Sequence, residues 1–173
     1  MSTAPSLWPH LIGLGEARRG ASLHLVADDA ARARIAAALD LEALERLEAD
    51  LTLSEWLDGA EITGAWRARI AQICGISLDP FETELEGRFR VRVVPPGSPN
   101  APTEVVGDVE IDPRAEDPPD VLESETIDAG GYVIEHLALE IDPFPRKPGV
   151  AFEAPEGPSI ASPFDVLRAL KRD

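Results

Sequence analysis

Five arginines are spaced as a phosphate-binding surface would require. Arg67 and Arg69 alternate along one segment, and Arg88, Arg90 and Arg92 along the next. Alternation by two places residues on one face of a strand. Guanidiniums projecting from one sheet surface donate forked hydrogen bonds to phosphate oxygens. If Cys74–Pro80 joins the two segments as antiparallel neighbours, all five share a face, which nominates them for RNA contact. The same register brings Arg67 and Arg69 close to Glu84 and Glu86, so cross-strand ion pairs on a solvated face are the competing structural reading.

Other reactive side chains give less. Trp8, Trp56 and Trp66 could act as stacking platforms, but Trp66 adjoins Arg67 and so points away from the arginine stripe, into a core. His10, His24 and His136 have no ligand spacing, and the stretch GYVIEH lacks the HExxH pattern of a zinc helix. No metal is expected. Cys74 is the one cysteine, which excludes an internal disulfide, and no base is placed beside it, so it reads as a structural thiol. The acids between residues 101 and 142 lack calcium-loop spacing, and Gly130-Gly131 lacks the strand that precedes a phosphate loop. With no catalytic constellation and no cofactor motif, the chain is expected to bind rather than catalyse.

Composition sets the frame for these residues. The chain has 173 residues, 44% of them hydrophobic, with 16 prolines and a formal net charge of −16. Thirteen acids against one arginine place −12 of that charge between Ala101 and Asp142. Such a balance argues against binding DNA or RNA through net charge, so a nucleic-acid interface must be local. No apolar run approaches the ~20 residues of a membrane span, and the first twenty residues lack the pattern of a secretory signal. The expectation is a soluble cytoplasmic protein with no membrane partner.

Several elements must position the arginines. Residues 1–20, with three glycines and two prolines, read as an irregular arm, followed by a short strand over Ser22–Ala27. Asp28 or Asp29 can cap a helix in the stretch ADDAARARIAAALDLEALERLEADL, with Ile35, Leu39, Leu44, Leu47 and Leu51 as its apolar stripe. A break near Asp40 would give two helices, or one helix and an extended segment. A strand then runs to the Asp58-Gly59 turn, a second covers Ile62–Ile73, and a third begins at Phe81. In that third strand the odd residues to Val93 are mostly apolar, while Glu82, Glu84, Glu86, Arg88, Arg90 and Arg92 alternate with them. Residues 96–126 form a flexible acidic loop, with room for one short strand in its mostly solvated acidic part, and a helix follows Asp128 with Val133, Ile134, Leu137, Ala138 and Ile141 on one face. The fold class is α+β: an antiparallel sheet, with curling towards a barrel allowed, and two or three helices. Residues 1–150 make one domain, and 151–173 a linker and closing amphipathic helix.

Four stretches in order resemble one family: LEALERLEADLTL, ITGAWRARIAQICGISLDPFETELEGRFRVRVVP, IDAGGYVIEHLALEIDPFPRKPG and SPFDVLRALKRD. The chain is similar to the YceD family, the large ribosomal RNA subunit accumulation proteins, and to its alphaproteobacterial-type members. The matching positions are Cys74, Pro80, Phe81, Glu135, Leu137, Leu139, Pro143, Pro145 and Arg146, then Pro163, Phe164, Val166, Leu167 and Lys171 in the tail. The resemblance implies a non-enzymatic factor for synthesis, processing or stability of large-subunit (23S) ribosomal RNA. Its partner would be that RNA or a pre-ribosomal particle, met directly or through a ribosomal protein. Many relatives carry a second cysteine in a C-x-x-C arrangement; here Ser77 stands there, which puts any zinc or redox role in doubt. The tail then reads as a docking helix. Phe164, Val166, Leu167 and Leu170 form its apolar stripe, with Lys171 and Arg172 as a basic end for RNA phosphate or a precursor particle. The equal alternative is that the helix packs back on its own domain and its bases suit the helix C-terminus. An alternative is a protein-binding module whose acidic segment engages a basic partner such as a ribosomal protein.

Overall fold

The structure, a computed structural model, describes residues 6–102 and 117–152. In chain order the elements are β1 (Leu11–Gly13), α1 (Leu14–Arg18), β2 (Ala21–Val26), α2 (Asp29–Ala38), β3 (Ala43–Trp56), β4 (Gly59–Ile73), β5 (Pro80–Val94), β6 (Asp120–Val121), β7 (Thr126–Asp128) and α3 (Ala129–Glu140). Five strands form one open sheet in the order β2-β3-β4-β5-β6, and β1 pairs with β7 in a separate two-stranded sheet. All pairings in the large sheet are antiparallel except the short β5–β6 contact. The α+β expectation holds, and the sheet does not close into a barrel.

Alternation sorts the two faces of β3–β5. Leu47, Ala49, Leu51 and Leu53 of β3, Ile62, Trp66, Ala68 and Ile70 of β4, and Phe89 and Val93 of β5 point inward. They join Leu14 and Ala17 of α1, Ile35 of α2, and Val133, Ile134 and Leu137 of α3 in one apolar cluster. Burying this many aliphatic and aromatic side chains, at roughly 1.5–3 kcal/mol each, is the main force holding helices to sheet. Cross-strand neighbours make room for two rings on the inner face of the sheet: Phe89 lies over Gly64, and Trp66 over Gly87. The ring of one strand fills the space its glycine partner leaves empty.

Asp28 caps α2, accepting a hydrogen bond from the Ala31 N–H at 2.7 Å. The helix ends at Ala38, and Asp40 takes a left-handed conformation at φ 54°. Of the alternatives for this region, one helix followed by an extended segment is found, so Leu44, Leu47 and Leu51 belong to β3 and not to a helix stripe. The cause of the misleading spacing is a bulge. Leu44 pairs with Ile70 and Arg46 with Arg69, leaving Glu45 extra, so Leu44 and Leu47 both face inward although three residues apart. The N-terminal arm also differs from expectation, because Leu11–Arg18 forms β1 and α1. The turn after β3 is centred on Leu57 and Asp58, with Trp56 paired to Gly59. A Cβ at Gly59 would run into the Val93 carbonyl of β5, which is why glycine ends that turn.

Candidate nucleic-acid interface on the open sheet face

The outer face of β3–β5 carries the charged positions, and register decides what each one meets. Arg67 stands directly across from Glu86, and Arg69 across from Glu84. The Arg69 Nε donates to Glu84 Oε1 at 2.7 Å, while Arg67 Nε lies 3.6 Å from Glu86 Oε2. The hydrogen bond and charge of Glu84 hold the Arg69 guanidinium above its ordinary pKa. At the other end Arg92 Nε donates to Glu61 Oε2 at 3.1 Å, and its guanidinium lies 5.1 Å from the centre of the Trp56 ring. This pair is the least exposed on the face, and stacking against the indole adds a cation–π attraction.

Between these pairs runs a strip of small side chains. Arg88 stands across from Ala65 and then Asp50; Arg90 stands across from Thr63 and then Thr52. Asp50 is itself taken up by His24 of β2, whose Nδ1 lies 2.7 Å from the Asp50 carboxylate. The result is an open hollow of about 490 Å³, lined by Asp50, Thr52, Thr63, Ala65, Arg88 and Arg90. Among the described residues, neither Arg88 nor Arg90 has an ion-pair partner. The five arginines therefore share a face as their spacing implied, but three are tied to carboxylates and two are not. Six guanidiniums (Arg46, Arg67, Arg69, Arg88, Arg90 and Arg92) meet seven carboxylates (Glu45, Glu48, Asp50, Glu61, Glu82, Glu84 and Glu86) on the paired strands, so the face is close to neutral.

Elsewhere the singled-out residues are structural. Trp66 is buried on the inner face, away from the arginines, and Trp8 is also buried. His136 stacks on Phe89 with centroids 4.2 Å apart, joining α3 to β5, and its Nδ1 lies 2.8 Å from the Tyr132 carbonyl. Tyr132 donates to Asp120 of β6 at 3.1 Å, and burial first, then the Asp120 charge, raises its pKa. Cys74 has no solvent exposure, and its Sγ accepts from the N–H groups of Ile76 and Ser77 at 3.4 Å and of Lys147 at 3.3 Å. The Ser77 hydroxyl and these amides stabilise the thiolate and bring its pKa down to about 6. Gly75 N–H also donates to the Pro145 carbonyl, so the β4–β5 connection anchors the chain after α3. Among the described residues no three His, Cys, Asp or Glu side chains gather as a metal site, and no helix is long and apolar enough to cross a membrane. The tail residues Phe164, Val166, Leu167, Leu170, Lys171 and Arg172 lie outside the described residues.

Sequence reasoning missed the Trp56–Arg92–Glu61 cluster. The signal for the face was present: once Leu47, Leu51 and Leu53 are read as a strand, parity puts Trp56 on the outer face, where its ring reaches Arg92 across β4.

An open antiparallel sheet with helices behind it and a charge-patterned face in front defines an α+β protein whose chemistry lies on a strand surface. A family model described as "Large ribosomal RNA subunit accumulation protein YceD" matches residues 62–171, and the chain belongs to this family. The match contains β4 from Ile62 onward, β5 and α3, hence all five arginines and the Cys74 anchor. No curated protein and no solved structure matches the chain.

Proposed function

We propose that the protein is a non-enzymatic cytoplasmic factor in large-subunit ribosomal RNA accumulation, and that it meets precursor RNA on the outer sheet face. Membership of the family supports the role in large-subunit RNA accumulation. One observation supports the site: Arg88 and Arg90 stand side by side, with no carboxylate across from either on β4, at the edge of a hollow of threonine and alanine whose one acid, Asp50, is engaged by His24. Two adjacent guanidiniums over small polar side chains suit consecutive phosphates of a single strand. Arg67, Arg69 and Arg92 then act mainly by holding the carboxylates around the hollow, and Lys171 and Arg172 extend the contact from the tail.

The test is charge reversal. Arg88→Glu with Arg90→Glu abolishes binding to precursor large-subunit RNA and removes the protein from pre-ribosomal gradient fractions, with melting temperature unchanged. Retained RNA binding in that variant refutes the site. A second reading has its own support: thirteen acids between residues 101 and 142, in a protein whose sheet face is neutral, suit a basic ribosomal protein. In that case the same variant keeps its gradient position.

A further inference from the structure

β5 has one edge occupied by β4 from Pro80 to Val93, whereas β6 takes up the other edge only at Val93 and Val94. Among the described residues no strand lies on the outer edge from Pro80 to Arg92. A long row of unpaired backbone donors and acceptors is a template for another strand, and proteins usually guard such edges with charge. Here the guard has an order. Along β5 the outer face reads Glu82, Glu84, Glu86, then Arg88, Arg90, Arg92, with Gly87 at the change of sign.

This order is complementary to itself when reversed. We propose that two copies of the chain join edge to edge through β5, antiparallel, about a twofold axis at Gly87. Glu86 of each copy then faces Arg88 of the other, and Glu84 faces Arg90. Because both members of each pair are even-numbered, they project from the same face of the joined sheet. The odd positions agree with the same register. Gly87 meets Gly87 with no Cβ on either side, and half-buried Leu85 meets Phe89 of the second copy on the apolar face. Any strand lacking the inverse charge order would leave like charges opposed, so the edge selects for its own sequence.

The contact spans Glu84–Arg90. At its Arg90 end, Asp117 and Pro118 stand beside Arg90–Arg92 on the way to β6, and limit the pairing on that side. Arg88 and Arg90, without ion-pair partners among the described residues of their own chain, gain them here. Arg67 and Arg69 continue the network inward through Glu86 and Glu84. The interface is isologous, as closed two-copy assemblies require. It is also small, so association depends on concentration and weakens with salt.

The proposal does not rest on RNA binding, and its test contains no RNA. Sedimentation equilibrium of the full chain should shift with concentration from 18.6 kDa to twice that mass, and high salt should reverse the shift. One variant carries Arg88→Glu and Arg90→Glu, the other Glu84→Arg and Glu86→Arg. Each opposes four like-charge pairs in its own dimer and self-associates at least about tenfold more weakly. Mixed, the two are complementary at all four contacts and form a heterodimer that neither forms alone. Circular dichroism of each variant checks that both fold. A wild-type chain that stays at 18.6 kDa at all concentrations overturns the proposal, and so does self-association insensitive to salt. A dimer undiminished in both variants, without preference on mixing, places the contact elsewhere and overturns it too.

Discussion

Gly64→Ala tests how the sheet accommodates its rings. A Cβ at Gly64 would lie 2.5 Å from Phe89 Cε1 and 2.7 Å from Leu51 Cδ2, well inside van der Waals contact. Both neighbours are buried, and Phe89 is pinned from behind by its stack on His136. Overpacking of this kind costs about 1–3 kcal/mol. Alanine also removes unfolded-chain entropy, which returns about 0.5–1 kcal/mol where the native backbone is ordinary. The crowding term wins by about 1–1.5 kcal/mol, which lowers the melting temperature by about 2–6 °C at this chain length.

Gly15→Ala gives the opposite sign from the same chemistry. Its Cβ would meet only Arg19 Nη1 at 3.9 Å, so alanine in α1 is neutral or stabilising. Calorimetry of both variants, with Phe89→Leu and the Gly64→Ala/Phe89→Leu double variant, closes the cycle. A leucine side chain, smaller than the ring it replaces, relieves the methyl, so the double variant loses less than the two singles combined. A Gly64→Ala protein that melts with wild type, or a strictly additive double variant, refutes the ring-over-glycine account.

Two further outcomes follow from the site. Cys74 has a folded pKa near 6, below the roughly 8.5 of an unfolded thiol, so between those values the unfolded chain holds more protons. Stability from this group is fully present above the unfolded pKa and is lost as pH falls through about 6; urea midpoints of wild type against Cys74→Ser across pH 5.5–9 should show that slope only in wild type, and parallel curves refute it. Arg88 and Arg90 serve both the proposed RNA contact and the proposed dimer, so single-stranded RNA should shift the sedimentation equilibrium toward monomer, and a dimer that binds RNA without dissociating shows that the two surfaces are separate.

How much of this was legible depended on whether local pattern and tertiary context agreed. β5 was readable because its charged and apolar positions alternate along most of its 15 residues. The short Cys74–Pro80 connection brought Arg67 and Arg69 near Glu84 and Glu86, though which arginine meets which glutamate came only with the register. β3 was not decided by its sequence. Leu41–Leu53 is rich in Ala, Leu, Arg and Glu, the residues of a helix, and the bulge at Glu45 imitates a helical three-residue step. What overrides this propensity is pairing on both sides, with β2 and β4, which no local window contains. β1 escaped for a related reason. Three residues have no periodicity to read, and its partner β7 lies more than a hundred positions away. At the site, the distinction between paired and unpaired arginines required knowing that alanine and threonine, not acids, stand across from Arg88 and Arg90.

The same stretch of β5 answers to three demands. Its odd residues help close the core, so apart from Thr83 they are apolar or, at Gly87, lack a side chain to admit Trp66. Glu82, Glu84 and Glu86 face Ala71, Arg69 and Arg67, and the last two of these select acids there; Arg92 faces Glu61 under Trp56. Folding alone explains the charges at 84, 86 and 92. It does not explain Arg88 and Arg90, whose cross-strand neighbours are uncharged and whose exposed guanidiniums gain almost nothing from the chain's own stability. A sequence that pays entropy to display two long cations beside a hollow, in a chain of net charge −16, places its unexplained chemistry there. Residues that the fold does not need are where an external partner, RNA or a second copy, has to be sought.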